Sequence, residues 1–281
     1  MIYPDTLVHL ETYPDPVEDS AAETAAAWAA VLGGQATVVS PFVRIPMKSN
    51  RIASFALNLG ELARTEEARA REHAERLAGV FRQALETRGG AATSLHPVCE
   101  LFEIGDVTAR MARTHDVTLL PYGKPGGAQM ATAEALLFAS GRPSLLIPAR
   151  GDGQAAALNH VLIAWDGGAP AARAVAASLP MLKAAGKVTI LSVLNEKAGI
   201  SEDQAAALGR HLARHGVTSE VHDFDAAGAR IGSVFEHVCT RLSADVLVMG
   251  AFGHSRAREF VLGGATQSVI QAPPVPVLLA H

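Results

Sequence analysis

The sequence predicts an α/β protein made of two tandem doubly wound parallel-sheet domains. Three observations predict it. Apolar runs of strand length alternate with stretches whose apolar residues recur at helical spacing. The runs are almost wholly apolar, as strands covered on both faces must be. The order of elements in the first half then recurs in the second.

The N-terminal half opens on a strand at residues 6–10, a helix at 20–32 and a second strand at 36–40. Leu62, Ala70, Ala74, Leu77, Phe81 and Leu85 mark a long helix. A third strand at 92–98 precedes a helix striped by Ile104, Val107 and Met111. The fourth strand lies in 114–120 and the fifth in 142–149. The C-terminal half starts with a strand at 160–165 and a helix carrying Ala171, Ala174, Val175, Ser178, Leu179 and Leu182. Residues 187–194 form its second strand. A weaker helix at 201–215 and a strand at 217–224 follow. Ile231, Val234, Phe235, Val238, Cys239 and Leu242 give a strong apolar stripe, and 245–249 is the fourth strand. A glycine-rich loop and a further helix lead to the last strand at 275–280.

Residue spacing locates where the halves differ. Gly34 and Gly186 are 152 residues apart, whereas Asp116 and Asp245 are 129 apart. The first copy therefore carries about 23 extra residues, placed in the loop and helix after its second strand. Pro143 and Pro276 are 133 apart, so that copy is about four residues shorter between its last two strands. Gly151, Asp152 and Gly153 read as a short polar linker. The expected division is 1–150 and 156–281.

Composition removes several classes. With 49% apolar and 19% charged residues the chain is neither disordered nor fibrous. A formal charge of −4 shows no bias toward nucleic acid or anionic membranes, and no aromatics alternate with basic residues to stack on bases. Two cysteines cannot make a disulfide framework or a four-cysteine metal site. The uncharged stretches Ala25–Val43 and Phe260–Ala280 are broken by Gly33-Gly34 and Pro41, and by Gly263-Gly264 and Pro273-Pro274, so no membrane span is expected. Met1 to Asp5 lack the basic and apolar regions of a signal peptide, so a cytoplasmic protein is expected.

The most informative residues follow the fourth C-terminal strand. They read Met249-Gly250-Ala251-Phe252-Gly253-His254-Ser255-Arg256, then Leu262-Gly263-Gly264-Ala265-Thr266. A glycine loop between a parallel strand and a helix N-terminus sits where doubly wound sheets bind ligands. Glycines there let backbone N–H groups approach phosphate oxygens, and the helix end adds partial positive charge. Thr266 offers a hydroxyl; Arg256 and Arg258 offer positive charge.

The spacing of Gly250, Gly253 and Gly263 after a strand ending in Met249, with Asp166-Gly167-Gly168 after the first strand, resembles the universal stress protein family. The likeness covers the C-terminal half and, more weakly, the N-terminal half. It implies tandem domains of the adenine nucleotide alpha hydrolase-like fold, packed as an internal pseudo-dimer through the fifth strands at 143–149 and 275–281. It also implies an adenine nucleotide ligand, ATP or AMP with or without Mg²⁺. The positions carried over are Asp166 at the adenosine, Val193 beside the base, and Met249, Gly250, Gly253, Gly263, Gly264 and Thr266 in the loop. From the residues alone, Asp166 is either a ligand contact or a helix cap. Gly264 departs from the family's Ser or Thr. A lost hydrogen bond to a charged group costs about 1.5–3 kcal/mol, roughly 10- to 100-fold in affinity.

The N-terminal copy has Leu10-Glu11-Thr12 in place of the Asp-Gly turn, and Lys124-Pro125-Gly126-Gly127 in place of the glycine loop. One competent site is expected, serving a stress-response or signalling protein without fast turnover. The alternatives are a partner-binding module without nucleotide and a slow ATPase. Homodimerisation and an unidentified protein partner are both open. No catalytic residue is assigned: His254 and Ser255 have no acid partner in any motif. His211 and His215 lack a third metal ligand nearby, and Cys239 reads as core.

Overall fold

The computed structural model describes residues 1–46, 59–122, 128–148, 156–194, 202–226, 228–252 and 264–281. In the first half the order is β1 (Thr6–His9), α1 (Asp19–Leu32), β2 (Gln35–Val39), β3 (Phe42–Arg44), α2 (Leu59–Glu86), β4 (Ala91–Leu95), β5 (Val98–Glu100), α3 (Ile104–Ala112), β6 (Val117–Tyr122), α4 (Ala128–Ala139) and β7 (Ser144–Pro148). In the second it is β8 (His160–Ala164), α5 (Ala169–Ala184), β9 (Lys187–Leu194), α6 (Glu202–Arg214), β10 (Glu220–Asp225), α7 (Ile231–Leu242), β11 (Val246–Gly250), α8 (Gly264–Gln271) and β12 (Val277–Ala280).

Ten strands form one sheet in the order β10-β9-β8-β11-β12-β7-β6-β1-β2-β4. Each half supplies five parallel strands with the same order, third-second-first-fourth-fifth. The expected repeat extends to single bonds. Asp116 and Asp245, at the same place in the two halves, accept the backbone N–H of Asp5 and His160 at 3.0 and 2.9 Å.

The halves join where the sequence expects, through their fifth strands. β7 and β12 pair antiparallel, with Leu146 opposite Val277, Leu145 opposite Leu278 and Ser144 opposite Leu279. Strand alternation explains why the runs are apolar throughout. Val8, Val38, Leu119, Leu145, Ile163, Ile190, Val248 and Leu278 face a core under α1, α2, α5 and α6. Leu7, Val39, Leu120, Leu146, Leu162, Leu191, Leu247 and Leu279 face a second core under α3, α4, α7 and α8. A further bond ties the halves: the Tyr3 hydroxyl donates to the Ala177 carbonyl in α5 at 2.8 Å. Burial, then Asp116, holds this phenol well above its usual range, so it stays protonated and donating.

The structure corrects several details. The third N-terminal strand stops at Leu95, and Val98–Glu100 instead pairs in parallel with β3 as a separate two-stranded sheet. Strands of three residues are too short to show periodicity. Leu62, placed on the apolar stripe of the long helix, is 57% exposed; the buried face there starts at Ala63 and Ala70. The third C-terminal strand begins at Glu220 and the last at Val277, each later than expected. The extra residues of the first half fall partly in α2, 28 residues long against 13 in α6. The linker glycines lie outside the described residues. Among the described residues no helix is long and apolar enough to cross a membrane.

Leu145 and Leu278 are both fully buried at the junction. Leu145→Ala is expected to lower stability by about 2–5 kcal/mol. Urea unfolding followed by circular dichroism should give one transition for the whole chain, shifted to lower urea in the variant.

Candidate functional site

The carboxyl end of β8 is a point where the chain parts. α5, which follows β8, packs on one face of the sheet, while α8, which follows the neighbouring β11, packs on the other. A crevice opens between such diverging connections.

One wall is the turn after β8. The Trp165 N–H donates to the Leu191 carbonyl, extending the ladder by one residue. The chain then turns at Gly167, whose φ of +70° suits a residue without a side chain. Asp166 Oδ1 accepts the Gly168 N–H at 2.9 Å, and Gly168 is the N-cap residue of α5. Asp166 thus organises the helix start while remaining partly exposed. Val193 and Met249 flank β8 from β9 and β11, and both side chains are buried in the core under α7 and α8.

The second wall begins at Gly250. A Cβ here would lie 2.3 Å from the Ala171 backbone nitrogen and 2.5 Å from the Pro170 carbonyl carbon. Glycine is therefore required for the first turn of α5 to rest on the end of β11, which brings the two walls together. Phe252 follows with φ of +58° and donates its N–H to Thr266 Oγ1 at 3.1 Å. Thr266 is buried, so its hydroxyl fastens the end of β11 to the start of α8. Gly264 opens α8, and a Cβ there would meet none of the described residues within 4 Å. Gly253, Gly263, His254, Ser255, Arg256 and Arg258 lie outside the described residues. The candidate residues that are described come from one end of the sheet.

Sequence reasoning missed what supports this wall from outside. Phe138, at the end of α4 in the other half, packs on Phe252 with ring centroids 4.3 Å apart and on His281 at 5.0 Å. The His281 ring nitrogen Nδ1 meets the Ala251 carbonyl at 3.0 Å. The antiparallel junction makes this contact, because the end of α4 arrives at the carboxyl edge of β11. No spacing pattern within the sequence signals it.

The model of the Universal stress protein family matches residues 157–281. That half of the chain is similar to this family. A search of curated proteins finds no match. A universal stress protein from Archaeoglobus fulgidus DSM 4304 superposes with a TM-score of 0.69 at 18% identity, over 98% of this chain and 95% of its own. A functionally unknown protein from Pseudomonas aeruginosa PAO1 does so with a TM-score of 0.54 at 14% identity, over 99% and 92%. A universal stress protein in complex with cAMP matches 44% of this chain and 97% of its own, at 19% identity and a TM-score of 0.33. At these identities the likeness is one of fold.

The first half has the same strand order as the second, with a different end. Leu10 donates to Val39 as Trp165 does to Leu191, which makes Glu11 the counterpart of Asp166. There the chain does not turn at once into a helix. The Thr12 hydroxyl donates to the Pro41 carbonyl at 2.8 Å, and the Val17 N–H donates to the Glu11 carbonyl at 3.0 Å. Glu11 is 1% exposed. Its Oε2 lies 3.4 Å from His9 Nε2 and accepts the Thr132 hydroxyl at 3.4 Å, while Thr108 meets the other His9 nitrogen at 3.1 Å. Sequence reading identified the loss of the Asp-Gly turn but not this buried polar cluster. Lys124, Gly126 and Gly127 lie outside the described residues.

The remaining candidates are structural. His211 and His215 are exposed neighbours with ring centroids 4.7 Å apart, and no group of three metal-ligating side chains exists among the described residues. Cys239 is buried in the core, as expected. Cys99 is buried too, and burial, then the Glu103 and Glu11 carboxylates, pushes its thiol up to about 11.

Two outcomes follow from these contacts. Gly250→Ala should destabilise the fold by about 2 kcal/mol or more, because the clash is between backbones, and thermal unfolding reads this directly. Both cysteines should resist alkylation at mildly alkaline pH in the native protein and react together once it is unfolded in urea.

Proposed function

We propose that this protein is a universal stress protein that binds an adenine nucleotide, ATP or AMP with or without Mg²⁺, at one site in residues 156–281. It acts as a stress-response or signalling protein without fast turnover. The observation that carries this reading is the close approach of the Gly250 end of β11 to the first turn of α5, beside the Asp166 turn, where α5 and α8 part to opposite faces of the sheet. Asp166 takes the adenosine side, with Val193 and Met249 as the apolar floor. Gly250, Gly253, Gly263 and Gly264 present backbone N–H groups to the phosphates at the start of α8. Thr266 ties Phe252 to the start of α8.

Residues 1–150 form the partner domain of this reading, with the nucleotide end replaced by the buried Glu11 cluster. The same reading places the protein in the cytoplasm and leaves room for a homodimer. A partner-binding role without nucleotide is the second reading, favoured by Gly264 standing where the family has a hydroxyl.

The test is isothermal titration of ATP and of AMP, each with Mg²⁺, into the wild type, Gly263→Val and Gly264→Ser. Micromolar binding lost in Gly263→Val is the expected result. Among the described residues a side chain at Gly264 meets no neighbour, so Gly264→Ser should tighten binding about tenfold or more. No heat and no thermal shift up to millimolar nucleotide would overturn the reading in favour of a protein partner.

A further inference from the structure

The part of the first half that has no counterpart in the second builds a hollow of its own. β3 lies against α2, and Arg44, Arg64, Arg71, Glu67, Ala68 and Phe42 line a space of about 280 Å³. Arg64, Ala68 and Arg71 fall at i, i+4 and i+7, on one face of the helix. The small Ala68 leaves room between the two long side chains. Arg44 enters from β3.

The hollow is held in shape. The Arg71 guanidinium carbon lies 4.3 Å from the centroid of the Phe42 ring. Phe42 stacks on His96 at 4.7 Å with 7° between the planes, and His96 Nδ1 lies 3.0 Å from both the Ser40 carbonyl and hydroxyl. The Ile45 N–H donates to Glu67 Oε1 at 2.7 Å, which clamps the end of β3, next to Arg44, onto α2. One oxygen of the carboxylate lining the hollow is thereby engaged.

Charge then points to the ligand. On α2, Arg69 pairs with Glu66 and Arg76 with Asp19. Among the described residues no ion pair engages Arg44, Arg64 or Arg71. Three exposed arginines and one glutamate thus line the hollow, and the Glu100 carboxylate, opposite Arg44 in the register, caps the following helical turn, on a chain whose net charge is −4. Guanidinium forks match the oxygens of phosphate and carboxylate groups.

We propose that Arg44, Arg64 and Arg71 form a binding site for a small oxyanion carrying two or more negative charges. It is separate from the nucleotide crevice and does not rest on that reading.

Inorganic pyrophosphate and citrate are titrated separately into the full chain at about 0.15 M salt, where diffuse attraction between exposed charges is largely screened. The wild type is compared with Arg64→Gln, Arg71→Gln, Gly263→Val and the control Arg82→Gln, a change on the same helix away from the hollow. Saturable binding of either probe, weakened about tenfold by each hollow variant and unchanged in Arg82→Gln, is the expected result. Gly263→Val removes any pyrophosphate held at the glycine loop and leaves the binding that Arg64→Gln and Arg71→Gln weaken. Pyrophosphate alone would identify a phosphate ligand, citrate alone a carboxylate one, and both a general oxyanion site. Three results would overturn the proposal: no saturable binding of either probe, binding indifferent to Arg64→Gln and Arg71→Gln, or equal loss in Arg82→Gln.

Discussion

The antiparallel pairing of β7 with β12 is the interaction on which the rest of this molecule depends. A five-stranded parallel sheet ends in an edge whose N–H and C=O groups would otherwise stand open to any other strand. Here the two edges close on each other, with Leu145 and Leu278 buried opposite one another. The two cores then run unbroken from half to half, each under helices drawn from both. The Tyr3 bond to Ala177 and the Phe138 contact with Phe252 both exist because this junction fixes where the halves meet.

Within that shared frame the two ends have diverged chemically. Asp166 is partly exposed and followed by a glycine turn, so the space beyond it is accessible. Glu11, at the matching place, is sealed behind Thr12, Val17 and the Thr132 side chain. Burying a carboxylate is costly unless other groups engage it, and Thr132 and His9 supply contacts to Oε2. The first half has thus replaced an open ligand end with an internal polar cluster, while its other margin gained the arginine-lined hollow of α2 and β3.

Much of the fold was legible because the inner strands of the central sheet are buried on both faces and therefore write themselves as apolar runs, as at residues 160–164 and 246–249. The repeat was legible because Asp116 and Asp245 perform the same backbone bond. The turn residues were legible because Gly167 and Gly250 answer to local geometry, a positive φ in one and a backbone contact in the other. What escaped was set by distance along the chain. The burial of Glu11 depends on Thr108 and Thr132, about 100 and 120 residues away. The rings of Phe138 and Phe252 are separated by more than a hundred residues of sequence. β3 and β5 are short strands that pair only because α2 covers them.

One helix has a consequence beyond its place in the core. α4 carries Thr132, bonded to the Glu11 cluster, and Phe138, packed on the root of the glycine loop. Six residues of helix separate them, a rise of about 9 Å along a stiff rod. Because β7 and β12 run antiparallel, the carboxyl ends of the two sets of parallel strands lie at opposite margins of the one sheet. A single rigid element therefore props the sealed end of one half and the loop root of the other.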